Sequence, residues 1–301
     1  MKKKKIDLAS IKSKYDEGVN IMQELQKEFE VDYNSPEIIE IAYDMQTGSY
    51  IENVNDAHIL YFNECADIMA KHIGKATTML DAGAGELTTT SGIVNSLKFE
   101  GQMYAFDISW SRLYIGQKYF KKKTNKNINV FIADLKNIPV LDNSIDVVYT
   151  NHALEPNRGF EDDILKQLCR IAKEKIILFE PYYEAGSEEI KKRMDSHNYV
   201  RDLEGAISRV GGKLEEIIKL ESSVNSLNPT YAFIISPTSI VYSKNQENKY
   251  RCPVSGYELT KLDSCYYSYE SLLAYPIIEN IPVLKSDSAI IASKMDRFST
   301  K

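Results

Sequence analysis

The sequence predicts an α/β protein in which an open, largely parallel sheet over about 77–242 follows a helical segment and precedes a short β-rich tail. Three observations carry this. From residue 77, short apolar runs ("TTMLDAG", "GQMYAFDIS", "INVFIADL", "IDVVYTN", "KIILFEP", "GKLEEIIKLES", "TYAFIISP") alternate with amphipathic stretches of helix length. Buried parallel strands joined by crossover helices read this way, because helices cover both faces of the sheet. Upstream, residues 6–30 and 55–74 place apolar side chains at helical spacing, among them Ile11, Tyr15, Val19, Met22 and Leu25, then Ile59, Phe62, Ile68 and Met69. Downstream, the polar, aperiodic "YSKNQENKY" (242–250) reads as a linker, and the segment beyond it is short and tyrosine-rich. The expected organisation is a helical cap (1–74), a sheet domain (75–242) and a small β-rich domain (250–301).

A formal charge of -6 gives no support to a partner built on phosphate backbones, so nucleic acid is disfavoured. The opening "MKKKK" lacks the apolar run of a signal peptide, and no apolar stretch approaches the roughly 20 residues of a membrane span. Cys65, Cys169, Cys252 and Cys265 are too few and too scattered for a disulfide framework. A cytoplasmic protein in a reducing compartment is expected.

The first strand ends in "MLDAGAGELTTT" (79–90), with Gly83 and Gly85 at the turn into a helix. Glycine is needed where backbone approaches a ligand closely, and the N-terminus of the next helix favours an anionic group. Asp81 precedes the turn. Asp107 ends the next strand, where a carboxylate accepts from a ribose diol, and Asp134 in "IADLKNIP" ends the third, suited to an adenine amino group. A dinucleotide would want a third glycine at position 88, which is Thr. S-adenosylmethionine has no pyrophosphate to seat there.

On these residues the sequence resembles the class I S-adenosylmethionine-dependent methyltransferases over about 40–240, which implies a Rossmann-like sheet. The resemblance implies that "DAGAGE" (Asp81, Gly83, Gly85) binds the methionine end of the cofactor, Asp107 the ribose, and Asp134 with Leu135 the adenine. "YDMQTGSY" (43–50) is similar to the family's upstream cap, so Tyr43, Gln46 and Tyr50 are expected to close over the cofactor. Leu87 departs from the pattern, since many members have a small residue there.

The fourth strand, "IDVVYTNHALEPN", sets Asn151 and His152 at the C-terminal edge of the sheet, beside the expected methyl group. Methyl transfer is an in-line displacement, so the enzyme aligns the acceptor and removes its proton. An imidazole, with an ordinary pKa of about 6.5, suits that task, and His152 is the expected base. "NHAL" differs from the Asn/Asp-Pro-Pro-aromatic signature of relatives that methylate nucleic-acid bases. "FEPYYE" adds Glu180, Tyr182, Tyr183 and Glu184 to the same rim; Glu180 and Tyr183 are the further catalytic candidates. His197, Glu155, Asn157 and Asn228 complete a polar, aromatic mouth suited to a small polyhydroxylated or amine-bearing acceptor, a nucleotide-linked sugar among them.

The tail begins "RCPVSGYELTKLDSC", like a zinc ribbon with cysteines missing. Cys252 and Cys265 are the only Cys or His residues beyond His197, too few to close a tetrahedron, so no metal is expected. "AYPII" and "NIPVL" read as two short strands. With the Cys-Pro start they resemble the small activator proteins of tRNA methyltransferases over about 250–290, with Asn280 where glycine is usual. The resemblance implies a domain that covers apolar surface of a methyltransferase, here in cis. Two functions are in view: methylation at O or N of a sugar or amino sugar for a bacterial surface glycan, suggested by resemblance around "LEPN" and "FEPYYE"; or methylation of tRNA, rRNA or a translation protein.

Overall fold

The structure, a computed structural model, describes residues 6–238 and 249–295. The opening MKKKK and residues 242–248 of the stretch read as a linker lie outside the described residues.

Helices α1 (Leu8–Asp16), α2 (Ile21–Phe29) and α3 (Pro36–Met45) start at side-chain caps Asp7, Asn20 and Ser35, and Pro36 sits in the first turn of α3. Such caps satisfy backbone donors that the first turn leaves unpaired. Ile11, Ile21, Leu25, Ile38 and Ala42 give these helices a small core of their own. A short α4 (Ser49–Glu52) leads to α5 (Asp56–His72), which behaves differently. Its Tyr61, Phe62, Cys65, Ile68 and Met69 pack into the core of the large sheet. The segment expected as one cap is therefore two structures, and α5 is a covering helix of the sheet.

The sheet contains β1 (Thr78–Ala82), β2 (Gln102–Asp107), β3 (Asn129–Ile132), β4 (Ile145–Asn151), β5 (Ala172–Pro181), β6 (Lys213–Lys219) and β7 (Thr230–Ser236). Each of the seven apolar runs from residue 77 onward supplies one strand. Between them lie α6 (Thr88–Leu97), α7 (Trp110–Thr124), α8 (Glu161–Ile171), α9 (Glu188–Ser196) and α10 (Leu203–Arg209). The order is β3-β2-β1-β4-β5-β7-β6; β7 runs antiparallel to both of its neighbours. The order reverses between β1 and β4, so a crevice opens at the C-terminal ends of those strands. The outer strand β6 has a register shift between Leu214 and Glu216 and carries Lys213, Glu215, Glu216 and Lys219.

The tail forms a second sheet, β8 (Thr260–Lys261), β9 (Cys265–Ser268), β10 (Leu273–Ile278), β11 (Ile281–Pro282) and β12 (Ile290–Ile291), ordered β11-β10-β9-β8 with β12 on β10. It lies against the β3 edge. Leu284 N donates to Ile132 O (2.9 Å), Arg251 N to Pro139 O (3.1 Å) and Asn137 Nδ2 to Pro253 O (3.0 Å). Tyr250, Tyr266, Tyr275 and Leu284 share a core with Phe131 and Tyr104, and Lys285 pairs with Glu40 of α3.

Side chains alternate faces along a strand, so Cys265 and Tyr267 face away from Tyr266 and pack with Ala274. Cys252 is in the other cluster, with Tyr266 and Tyr275. The two cysteines cannot share an ion across the sheet. Cys252 instead meets the Tyr275 hydroxyl (3.2 Å) and two serines, Ser255 and Ser271, which are joined through Ser268. Its Sγ lies 3.4 Å from Ser271 Oγ and accepts from Ser255 N (3.3 Å); Ser255 Oγ lies 3.4 Å from Ser268 Oγ, which accepts from Ser271 N (3.3 Å). The two halves, Cys-x-x-Ser and Ser-x-x-Ser, are alike in conformation, since the next residue has positive φ in both (Gly256, 78°; Leu272, 56°).

Candidate active site

A cavity of about 370 Å³ occupies the crevice at the C-terminal ends of β1, β2 and β4. Its floor is the turn after β1. Gly83 has φ +82°, and a Cβ there would stand 2.4 Å from that of Ala153, so only glycine lets the β1 and β4 turns meet. Gly85 has φ +54° and faces Arg112. Asp107 joins turn to strand: Oδ2 accepts from Gly85 N (2.8 Å) and Oδ1 from Ser109 N (2.9 Å). Each carboxylate oxygen has lone pairs to spare for a ligand. Asp134 and Leu135 form the next wall, and Lys136 N donates to Asp134 Oδ1 (2.9 Å). Leu87, which departs from the family pattern, has a left-handed backbone (φ 57°), and its side chain is fully buried in the core.

Asn151 and His152 project from the end of β4. Asn151 Nδ2 donates to Tyr61 of α5 (2.8 Å). His152 has φ +52°, and its amide donates to Phe179 O (2.9 Å). Its Nδ1 is 2.8 Å from Glu155 Oε2 and its Nε2 is 2.7 Å from Thr230 Oγ1. Asn228 Nδ2 also donates to Glu155 Oε2 (3.0 Å). Burial alone would lower the imidazole's pKa; the Glu155 carboxylate, with help from Glu180, outweighs it and holds the pKa above the ordinary histidine value. Burial would raise the Glu155 carboxyl, but His152, Asn228 and Tyr199 keep it below the usual range. The group is an imidazole oriented by a carboxylate, with a hydroxyl at its other nitrogen.

The cavity thus brings together Tyr43, Tyr50, Gly83, Gly85, Asp107, Asp134, Leu135, Asn151, His152, Glu155, Asn157 and Asn228. Seven of the expected residues do not line it. Tyr182 packs on Tyr231 and Phe233, Glu184 accepts from Asp202 N (2.7 Å), and His197 lines a second cavity. Asp81 is buried behind the turn, where its Oδ2 accepts from Thr90 Oγ1 (2.6 Å), and burial pushes its carboxyl up to about 7. Glu180 is fully buried beneath the β4 turn, and its Oε1 accepts from Ala153 N (2.9 Å) and Leu154 N (3.1 Å). Burial raises this carboxyl to about 7 as well. Tyr183, on the surface turn after β5, reaches Asp195 (3.4 Å). Gln46 lines this second cavity too, of about 400 Å³, between α1–α3 and the end of α9. Tyr43, Tyr50, Glu155 and Tyr199 line both cavities.

Two residues absent from the expected set complete the site. Thr230, first in β7, supplies the hydroxyl on His152. Arg112 of α7 lies under Tyr43 and Tyr50, with ring centroids at 5.0 and 4.6 Å. Glu86 holds the other side of that cap, accepting from Gly48 N (2.9 Å) and Ile51 N (2.8 Å). Asp44 of α3 joins it to α7 through Ser109 Oγ (2.7 Å) and Ser111 Oγ (3.1 Å).

A glycine cradle that a Cβ would fill, a carboxylate at the end of β2 and a second at the end of β3 fit a nucleoside with an amino-acid arm. Residues 73–249, more than half of the chain, match the family model described as "Methyltransferase domain". The chain belongs to this family, which uses S-adenosylmethionine. Demethylmenaquinone methyltransferase of Geobacillus sp. (strain WCH70) is 26% identical over 104 residues, 34% of this chain. The match spans 43% of the length of that relative. Among solved structures, magnesium protoporphyrin IX methyltransferase from Synechocystis PCC 6803, with bound S-adenosylhomocysteine, aligns over 68% of this chain and 100% of its own (14% identity, TM-score 0.51). Geranyl diphosphate C-methyltransferase from Streptomyces coelicolor A3(2) aligns over 58% and 80% (13% identity, TM-score 0.46).

Proposed function

We propose that the chain transfers a methyl group from S-adenosylmethionine to an oxygen or nitrogen of a small polar acceptor, a sugar or amino sugar destined for a bacterial surface glycan. The cofactor supplies an electrophilic methyl on a sulfonium. Asp107 holds the ribose hydroxyls, Asp134 and Leu135 the adenine, and the turn at Gly83 and Gly85 the methionine end, with Tyr43 and Tyr50 closing above. His152, held at Nδ1 by Glu155, takes the acceptor's proton at Nε2, where the acceptor's hydroxyl or amine replaces the Thr230 hydroxyl that rests there. The observation that carries this reading is the Glu155–His152–Thr230 arrangement at the mouth of the cofactor cavity. A carboxylate that orients an imidazole and steadies its cationic form is what proton removal requires.

The second cavity supports a polar acceptor. Asn20, Gln23, Gln26, Asn34, Gln46 and Asn198 line it, an amide-rich wall suited to hydroxyl and acetamido groups. Nucleic acid is less well served. Lys121, Lys122 and Lys123 occupy the last turn of α7, whereas Arg112 at its start reaches the cavity. Ten residues of helix place Lys122 about 15 Å from Arg112 along the axis. The activator-like tail, in this reading, covers the β3 edge in cis and needs no RNA.

The test offers labelled S-adenosylmethionine with nucleotide-linked amino sugars and, separately, bulk tRNA. Label recovered in the sugar fraction is the expected result. Label in tRNA, with tight, salt-sensitive binding, would transfer the assignment to the translation reading.

A further inference from the structure

We infer that Arg112 is the counter-ion for the carboxylate of the cofactor's methionine arm. The inference rests on the proposed function and assigns one residue a role within that site. Arg112 is only 7% exposed and stands in the first turn of α7. That is an unfavourable place for a cation, because a helix N-terminus carries partial positive charge. Something other than the helix must therefore be served by this charge. The tyrosine rings stack on its faces and accept no in-plane hydrogen bonds. The Asp107 and Glu86 carboxylates favour its charge through space, but the hydrogen bonds they accept come from backbone amides: Glu86 from Gly48 and Ile51, Asp107 from Gly85 and Ser109. Nε is 4.0 Å from Glu86 Oε1, beyond hydrogen-bond reach. Among the described residues the guanidinium, lining the cavity beside Gly85, has no hydrogen-bond acceptor.

A second observation points the same way. Helix α6, ten residues long, begins at Leu87 without a side-chain cap, and its Thr88 and Thr89 line the same cavity. Unsatisfied amides at a helix N-terminus favour an anion. The cofactor has one anionic group, its carboxylate, and two cationic ones, the ammonium and the sulfonium. A planar guanidinium takes a carboxylate through two parallel N–H bonds, and a buried pair is the strongest form of that contact. Arg193, the other arginine lining the cavity, also has a buried nitrogen without a hydrogen-bond partner among the described residues, but it lies over the Tyr199 ring (5.4 Å), whereas Arg112 is the one beside the Gly85 turn.

Two ligands that differ in the amino-acid arm separate this role from a structural one. Binding of S-adenosylhomocysteine and of 5′-methylthioadenosine, which carries a methyl group in place of the whole amino-acid arm, is measured by titration calorimetry on the full chain. Arg112→Ala is expected to weaken S-adenosylhomocysteine at least tenfold and 5′-methylthioadenosine less than twofold, with Arg112→Lys between wild type and Ala for the former. Equal losses for both ligands, or none, would overturn the inference. Should Arg112→Ala fail to fold, Arg112→Gln, close in size and without the charge, is measured with the same two ligands: a loss confined to S-adenosylhomocysteine supports the inference, and equal losses or none overturn it. A wild-type chain that binds no S-adenosylhomocysteine overturns the parent reading and takes this one with it.

Discussion

Nδ1 of His152 lies 2.8 Å from Oε2 of Glu155, three residues further along the chain and on the same wall of the cavity. The left-handed backbone at His152 (φ +52°) turns the ring back toward that carboxylate. Two residues of one loop thus form a hydrogen-bonded imidazole–carboxylate pair, and Thr230 from β7 fixes the other nitrogen.

His152→Ala should lower turnover by about 10²- to 10⁴-fold, the usual range for losing a general base, with S-adenosylhomocysteine affinity nearly unchanged. Single-turnover methylation and titration calorimetry separate the two effects. Unchanged turnover would remove His152 as the base.

The same pair predicts a pH signature. The folded pKa of His152 is raised, so the basic form accumulates only above about 6.5 and the rate should climb through a midpoint higher than that. Glu155→Gln removes the charge that raises it, and the midpoint should move down. Stability runs the other way: the imidazolium's contribution is complete below the unfolded pKa and fades as pH rises through the folded one. For Glu155, lowered on folding, the contribution is present above its unfolded pKa and lost as pH falls through the folded one. Denaturant midpoints across pH would show both.

Glu180 has the opposite requirement from a paired carboxylate. Its folded pKa is about 7 against an ordinary value of 4.5, so its contribution to stability is lost as pH rises between them. Glu180→Gln keeps an acceptor for the Ala153 and Leu154 amides without the charge. It should be more stable than wild type at pH 8, by on the order of 1 kcal/mol, and nearly equal at pH 5. A variant less stable at both would contradict this.

Gly83→Ala puts a Cβ 2.4 Å from that of Ala153 on a backbone at φ +82°. Strain and overpacking together should cost about 2–4 kcal/mol and abolish cofactor binding, readable by denaturant unfolding and calorimetry.

The four side chains Cys252, Ser255, Ser268 and Ser271 occupy Cys-x-x-Cys spacing twice over. In a tetrahedral site with Zn–S bonds of about 2.3 Å, the sulfurs stand about 3.8 Å apart, close to the 3.4 Å separations seen here. The full chain with Ser255→Cys, Ser268→Cys and Ser271→Cys should therefore take up one zinc ion, detected by elemental analysis. A folded variant without zinc would show that the four positions do not converge well enough.

Much of this was legible in the sequence for definite reasons. Strands buried on both faces leave continuous apolar runs, and the turn at Gly83 and Gly85 leaves glycines no other residue could replace. Residues brought in by tertiary packing left weaker traces. Glu180 reads as a rim residue because it comes after an apolar strand, yet β5 continues through Pro181 and keeps it buried. Tyr183, two residues past that strand, turns outward. Helix α5 has the same periodicity as α1–α3, and nothing local says that its stripe belongs to the sheet. Thr230 gave no signal, but Arg112 gave one: a cation in the first turn of a helix opposes the local dipole. Ser255, Ser268 and Ser271 leave no mark as a set, because serine is not a metal ligand and its spacing carries meaning only in the fold that joins these residues to Cys252.

The two outer strands of the large sheet are protected from intermolecular pairing by different means. Val283 and Leu284 occupy the β3 side, while β6 meets solvent with a bulge and alternating charge. Removing the tail would expose the edge of an apolar strand able to template growth of a foreign sheet, so aggregation rather than loss of chemistry should be the first consequence of truncation.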